Sequence, residues 1–290
     1  MKIDALRRLL AQEDLNFMLT NRLPRIALTR LMGWFSHIRS PLLARVSIAV
    51  WRLFTDLDLS DAQPRRYASL HECFTRELRP GARVVDTDPD CLSSPCDGIV
   101  GACGAVVGTV VWQAKGSPYA MQDLFGATQD TTPFHDGIYI TIRLTSSMYH
   151  RFHAPHDCRI EHLTYLSGDA WNVNPAALAR VQRLYCRNER AVLRARLKRG
   201  GHPIALVPVA AILVASIRLH FLDTLLHLSY PGPNEVECDA PFTRGQEIGW
   251  FEHGSTLILF APAGFRLAEG IGAGSRVRMG QSLMRLPDGS

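Results

Sequence analysis

An α+β fold is predicted for this chain, with N-terminal amphipathic helices followed by a mainly antiparallel β domain. Three observations predict it. Apolar residues recur at helical spacing between residues 25 and 54. From about residue 85, short β-like runs follow one another, separated by Gly, Pro, Asn and Asp. The positive charge is concentrated ahead of that change in texture.

The first helix is expected over residues 25–38, RIALTRLMGWFSHI, where Leu28, Leu31, Met32, Phe35 and Ile38 share one face. A second follows over residues 41–54, PLLARVSIAVWRLF, with Pro41 suited to a first helical turn. Both set arginines beside a tryptophan, Trp34 or Trp51, the composition of a helix lying in a membrane interface. The same stripes would equally suit packing on a domain behind them. The net charge is +5, yet residues 1–53 hold nine Lys or Arg against three acidic residues, an excess of six. An electrostatic partner therefore meets this segment first, and an anionic membrane surface fits better than nucleic acid. The arginines are interleaved with a broad apolar surface, and no basic nucleic-acid motif appears. Residues 1–60 are read as a helical membrane-associating region and 61–290 as the β-rich domain.

In that domain the β-like runs are GIVGACGAVVGTVVWQA, GIYITIRL, CRIEHLTYL, RAVLRARL, PIALVPVAAILVASI, STLILFA and RVRMGQSLMRL, the last resembling a hairpin that turns near Gly280. Helical signals are sparse, near 66–77, 118–126 and 175–185. The chain of 290 residues is 47% hydrophobic and 20% charged, ordinary globular composition. No run of eighteen apolar residues predicts a transmembrane helix, and the N-terminus does not read as a secretory signal. Seven scattered cysteines without a C-x-x-C pair suggest reduced cytosolic thiols, not a disulfide frame or zinc site.

Three segments could carry chemistry. SSPCDGIVG puts Asp97 before Gly98 at the mouth of a strand, SSMYHRFHAPHD holds His150, His153 and His156, and WFEHGSTLILFAP places Gly254-Ser255 at the start of an alternating apolar run. Taken singly, Asp-Gly and Gly-Ser are ordinary turn residues. Three imidazoles could ligate zinc, but Pro155 keeps one helix from presenting all of them, and on a strand 153 points away from 150 and 156. Asp97, a histidine of the cluster and Ser255 together supply the parts of an activated nucleophile: imidazole takes the hydroxyl proton, and carboxylate orients the imidazole. The flank Gly-x-Ser-x-Gly is missing, which argues against an α/β-hydrolase elbow. Peptidase, esterase and self-processing enzyme stay open on these residues, as does a membrane-docked β module without catalysis.

Further residues narrow the choice. LPRIALTRLMGWFS, FTRELRPGARVVDTDP, SPCDGIVG, QAKGSPYAM, YHRFHAPHDCRI, RNER and HGST…LFAP, in that order from about residue 20 to the end, resemble the bacterial phosphatidylserine decarboxylase family. The tract with YHR-x-H and the terminal GST are its specific parts. The resemblance implies a catalytic β domain and a proenzyme. Ser255 would attack the carbonyl of Gly254, helped by His153 and Asp97, giving an ester by N-to-O acyl shift. β-Elimination and hydrolysis would then leave a pyruvoyl group at position 255. The products would be a β chain, 1–254, and an α chain, 255–290, held as a heterodimer that is open to further dimerisation. The pyruvoyl group would form a Schiff base with phosphatidylserine and act as electron sink while carbon dioxide leaves, giving phosphatidylethanolamine, with neither metal nor pyridoxal phosphate required. His150 is the implied candidate for the decarboxylation step, through protonation, and Lys115 the candidate for the lipid phosphate. The implied location is peripheral, on the cytoplasmic face of a bacterial inner membrane. Two departures stand out: His253 where the family commonly has leucine, and LTSSMYH where a Pro-x-Asp-like segment is more usual.

Overall fold

The computed structural model describes residues 24–113, 116–211, 216–227, 230–252 and 255–289. Lys115, His253, Gly254 and the basic residues before position 24 lie outside the described residues. Helix α1 spans Arg25–Ser36 and α2 spans Pro41–Phe54, close to the expected ranges. Ser40 caps α2 by accepting the Leu43 N–H at 3.4 Å, and Pro41 sits in the first turn, where its missing N–H would have had no helical partner. Helix α3, Leu70–Phe74, has a capping arrangement at its start. The Ser69 hydroxyl accepts from Glu72 N–H, and the Glu72 carboxylate accepts from Ala68 N–H. Trp51 of α2 stacks on Phe74 of α3 with ring centroids 5.9 Å apart, which seats the helical segment on the β domain.

The strands are β1 (Cys91–Ser93), β2 (Gly98–Ala105), β3 (Val110–Gln113), β4 (Ser117–Ala120), β5 (Ile138–Leu144), β6 (Arg151–His153), β7 (Cys158–Leu166), β8 (Arg190–Leu197), β9 (Pro203–Ala210), β10 (Ser216–Leu219), β11 (Leu225–His227), β12 (Glu235–Phe242), β13 (Glu247–Phe251), β14 (Ser255–Ala261), β15 (Arg266–Leu267), β16 (Arg276–Val277) and β17 (Ser282–Arg285). Between them lie α4 (Met121–Phe125), α5 (Pro175–Arg180) and α6 (Leu184–Arg187). The main sheet runs β12-β7-β8-β9-β14-β5-β2-β16, with antiparallel pairing throughout. A four-stranded sheet, β11-β10-β13-β6, a three-stranded one, β1-β17-β15, and the two-stranded β3-β4 complete a mainly antiparallel α+β fold behind the N-terminal helices.

Strand alternation distributes the core. From β14, Leu257, Leu259 and Ala261 join one core with Phe152, Ile217, Ile248, Leu92 and Leu283 of the smaller sheets. Ile258 and Phe260 join a second core with Leu124, Phe125, Leu178 and Tyr185 of the short helices. A central strand buried on both faces needs the near-continuous apolar run STLILFA that the sequence displays.

The expected hairpin at Gly280 is corrected. The chain does turn there, with Gln281 N–H donating to the Arg278 carbonyl at 3.1 Å and Gly280 at φ 89°. Yet β16 pairs with β2, whereas β17 pairs with β1 and β15, so the turn moves the chain between sheets. The helical signal at 175–185 resolves into two short helices, α5 and α6.

Candidate active site

Ser255 is the first residue of β14, opposite Leu144 at the end of β5 and Ala210 at the end of β9. It is fully buried, and its hydroxyl has no hydrogen-bond partner among the described residues. Alternation puts its side chain on the face of Leu257 and Leu259, towards the core shared with the smaller sheets. A buried hydroxyl without a partner costs on the order of 1–3 kcal/mol. Such a site suits a small uncharged group that need not be hydrogen-bonded in the resting chain.

The histidine tract starts close by, because the loop leaving β5 after Leu144 carries Tyr149 and His150 into β6. His153 is held at three points. Its N–H donates to the Pro95 carbonyl at 2.7 Å, its Nδ1–H to the Gly245 carbonyl at 2.9 Å, and its Nε2 accepts from the Tyr149 hydroxyl at 3.0 Å. The Gly245 contact fixes the tautomer that leaves Nε2 as a base. Burial is the main cause that lowers the pKa of His153, and the backbone bond to Gly245 opposes it, so the ring is neutral near pH 7. His150 is fully buried, its Nδ1–H donates to the Met148 carbonyl at 2.9 Å, and it packs against Phe74 with centroids 4.2 Å apart. Its carbonyl accepts from Phe251 N–H, three residues before Gly254. His156 is tied to the Pro89 carbonyl at 3.0 Å. The three rings thus have separate partners and do not converge.

Asp97 lies at the head of β2, where a Cβ on Gly98 would come within 2.3 Å of Ile142, so only glycine lets β2 approach β5 this closely. Its carboxylate takes two bonds from Arg83 and one from Met279 N–H at 2.9 Å. The bond between Pro95 and His153 brings the Asp97 loop to the histidine, and the Asp97 charge favours the protonated form of His153. The group that orients His153 by contact is the Gly245 carbonyl. Among the described residues, no hydrogen bond joins His153 to Asp97 or to Ser255.

Sequence reasoning passed over four groups here: Arg83, Tyr149, Gly245 and Glu189. Arg83 and Tyr149 stood inside the quoted tracts RPGARVV and YHRFH without a role. Gly245 acts through its backbone, which leaves no side-chain signal. Glu189, from RNER, is fully buried, and burial pushes its pKa up to about 8. Its carbonyl accepts from Ala210 N–H, the residue opposite Ser255.

Two cavities are lined by members of this constellation, and a third shares lining residues with one of them. One of about 320 Å³ is lined by His153, Tyr149, Arg83 and Glu247. A second of about 450 Å³, sharing Arg83 and Tyr149, is lined by Asp97, Arg76, Arg276 and Arg278 together with Asp58 and Asp61. A third of about 470 Å³, sharing Thr55 and Ser146 with the second, is apolar and lies against α1 and α2 at Met32, Phe35, Val50 and Trp51.

The model of one protein family, described as phosphatidylserine decarboxylase, matches residues 70–285. A phosphatidylserine decarboxylase proenzyme of Erwinia tasmaniensis is 34% identical over 91% of this chain and 92% of its own length. The proenzyme of the same description from Halorhodospira halophila is 41% identical over 79% of this chain and 80% of its own. One from Methylococcus capsulatus is 34% identical over 90% and 93%.

Proposed function

Because the chain belongs to the phosphatidylserine decarboxylase family, we propose that it is made as a proenzyme which cuts itself at Gly254–Ser255. Its reaction is that of a carboxy-lyase, converting phosphatidylserine to phosphatidylethanolamine and carbon dioxide. The observation that carries the self-cleavage reading is the buried, unpartnered Ser255 hydroxyl at the head of β14, one strand from the segment leading into the histidine tract.

Ser255 Oγ attacks the Gly254 carbonyl carbon while His153 Nε2 takes its proton. The peptide C–N bond gives way to an ester, and the proton passes to the Ser255 nitrogen. Asp97 acts through space, favouring the imidazolium that forms. Loss of the Ser255 α-proton with breakage of Cβ–Oγ frees the Gly254 carboxylate and leaves dehydroalanine. Tautomerisation and hydrolysis then release ammonia and leave a pyruvoyl group at the head of chain 255–290. The two chains stay together because β14 lies between β5 and β9 of the larger chain.

The pyruvoyl group supplies the electron-withdrawing carbonyl that decarboxylation of an amino acid requires. His150 holds the proton delivered to the carbon that loses carbon dioxide. The cavity lined by both arginine and aspartate suits a headgroup bearing phosphate, carboxylate and ammonium together. The adjoining apolar cavity suits an acyl chain entering past α1 and α2. Their exposed Leu31, Trp34 and Leu42, with Arg30, Arg45 and Arg52, support peripheral docking on an anionic bilayer at the cytoplasmic face of the inner membrane. Among the described residues no helix is long and apolar enough to cross a membrane. Lys115 is kept as a candidate for the lipid phosphate on sequence grounds alone.

Intact-mass measurement of the purified protein tests the proposal. Two chains divided at Gly254–Ser255, the smaller with a blocked, amine-reactive N-terminus, are expected. A single chain of full mass that still decarboxylates phosphatidylserine would overturn it.

A further inference from the structure

We propose that His37, His71 and Glu252 form a binding site for one divalent transition-metal ion of the Zn²⁺ class, two residues ahead of Gly254. The three side chains come from separate segments: His37 at the C-terminal end of α1, His71 in α3, and Glu252 directly after β13. One potential ligand atom from each lies within 4.8 Å of the other two.

Each residue is prepared for ligation in a different way. The Nδ1–H of His37 donates to the Gly33 carbonyl at 2.8 Å, which leaves Nε2 as the lone-pair atom. A backbone carbonyl behind an imidazole is the support that metal-bound histidines commonly have. Nδ1 of His71 is buried without a hydrogen-bond partner, and its ring stacks on His37 with centroids 4.0 Å apart. Leaving that nitrogen unmet costs on the order of 1–3 kcal/mol, a cost that an ion would remove. One oxygen of the buried Glu252 accepts from the Ser216 hydroxyl at 2.8 Å, which aims the carboxylate and leaves the other oxygen for ligation.

Two imidazoles and one carboxylate suit zinc-class ions better than magnesium or calcium, which prefer all-oxygen sets. Three protein ligands leave a fourth position for water on the exposed side of His37. The ion takes no part in the decarboxylation chemistry. It ties the helical segment to the strand end that leads into the scissile bond, so binding stabilises the docked arrangement of α1.

The test uses the untagged full-length chain, stripped with chelator and titrated with Co²⁺ as a spectroscopic stand-in for Zn²⁺. One equivalent should bind, with visible d–d bands, no thiolate charge-transfer band, and displacement by Zn²⁺. His37→Ala, at an exposed position where folding is not at stake, should weaken Co²⁺ binding by about tenfold or more. Glu252→Gln should do the same. If the wild-type chain takes up no Co²⁺, or binds it through thiolate, the proposal falls. It falls equally if both variants bind Co²⁺ as tightly as wild type.

Discussion

Helices α1 and α2 and strand β14 are built from similar side chains and dispose of them in opposite ways. Every residue of β14 from Ser255 to Ala261 is buried, its apolar groups divided between two cores. On the helices, Trp34 is 67% exposed and Leu42 71%, and only Ala44 of α2 is buried. The strand's apolar surface is covered within the chain, whereas among the described residues much of the helices' apolar surface is left uncovered. An unpaired polar hydroxyl in the first region and an unpaired apolar face in the second are departures of the same kind. Each is a feature that a folded chain usually avoids, and the proposed function gives each one a use: self-cleavage for the hydroxyl and membrane docking for the apolar face.

Substitution of Ser255 should have the largest effect. Ser255→Ala removes only an unpartnered hydroxyl, so the fold should persist while chain splitting and decarboxylation both disappear. Gel electrophoresis and intact mass read the first, and carbon dioxide release the second. A variant still split at this bond would break the proposed link between the buried hydroxyl and cleavage.

Leu257→Ala should destabilise the protein by about 2–5 kcal/mol, the range for emptying a buried leucine site. Leu42→Ala should shift stability by no more than about 0.5 kcal/mol, as exposed substitutions do. It should instead weaken sedimentation with vesicles containing anionic lipid. Equal stability losses in the two variants would mean that the helix face is packed in solution.

A pH-dependent effect follows from Glu189. Its raised pKa means the folded chain binds a proton that the unfolded chain releases above its ordinary carboxylate range. Stability should therefore fall as pH rises from about 4.5 to about 8, by at most about 1.4 kcal/mol per unit. Glu189→Gln, which cannot ionise, should flatten that slope, as read from denaturant melts across the interval. An unchanged slope would assign the pH dependence elsewhere.

How far the sequence was legible follows the same division. Periodicity carried α2 and the strands CRIEHLTYL, RAVLRARL and STLILFA to their observed bounds, and α1 to within two residues of its C-terminal end, because each presents a regular pattern to a core or a surface. The Gly280 turn was legible but its sheet partners were not, since pairing is decided by segments far away in sequence. The candidate residues were legible as types. Their hydrogen bonds were not: a main-chain carbonyl such as that of Gly245 leaves no mark in composition. Glu252 was read only as a flank of HGST, and its meeting with His37 and His71 depends on how α1 and α3 pack.

The smallest expected effect is the most discriminating for the site. Tyr149 donates to His153 Nε2, the lone pair that accepts the proton of Ser255 in the proposed self-cleavage. In that scheme the Tyr149 bond is given up before the serine is activated. Tyr149→Phe should therefore cost about 1 kcal/mol of stability, the value of one hydrogen bond. Cleavage should proceed at the wild-type rate or up to about tenfold faster, since a bond worth that much no longer competes for the base. A time course of chain splitting after synthesis measures it. In wild type and variant alike the rate should hold as pH falls through 6.5 and decline only below the lowered pKa of His153, where the base becomes protonated. Slower cleavage in Tyr149→Phe would mean that the hydroxyl works with His153 to activate Ser255 and does not compete for it.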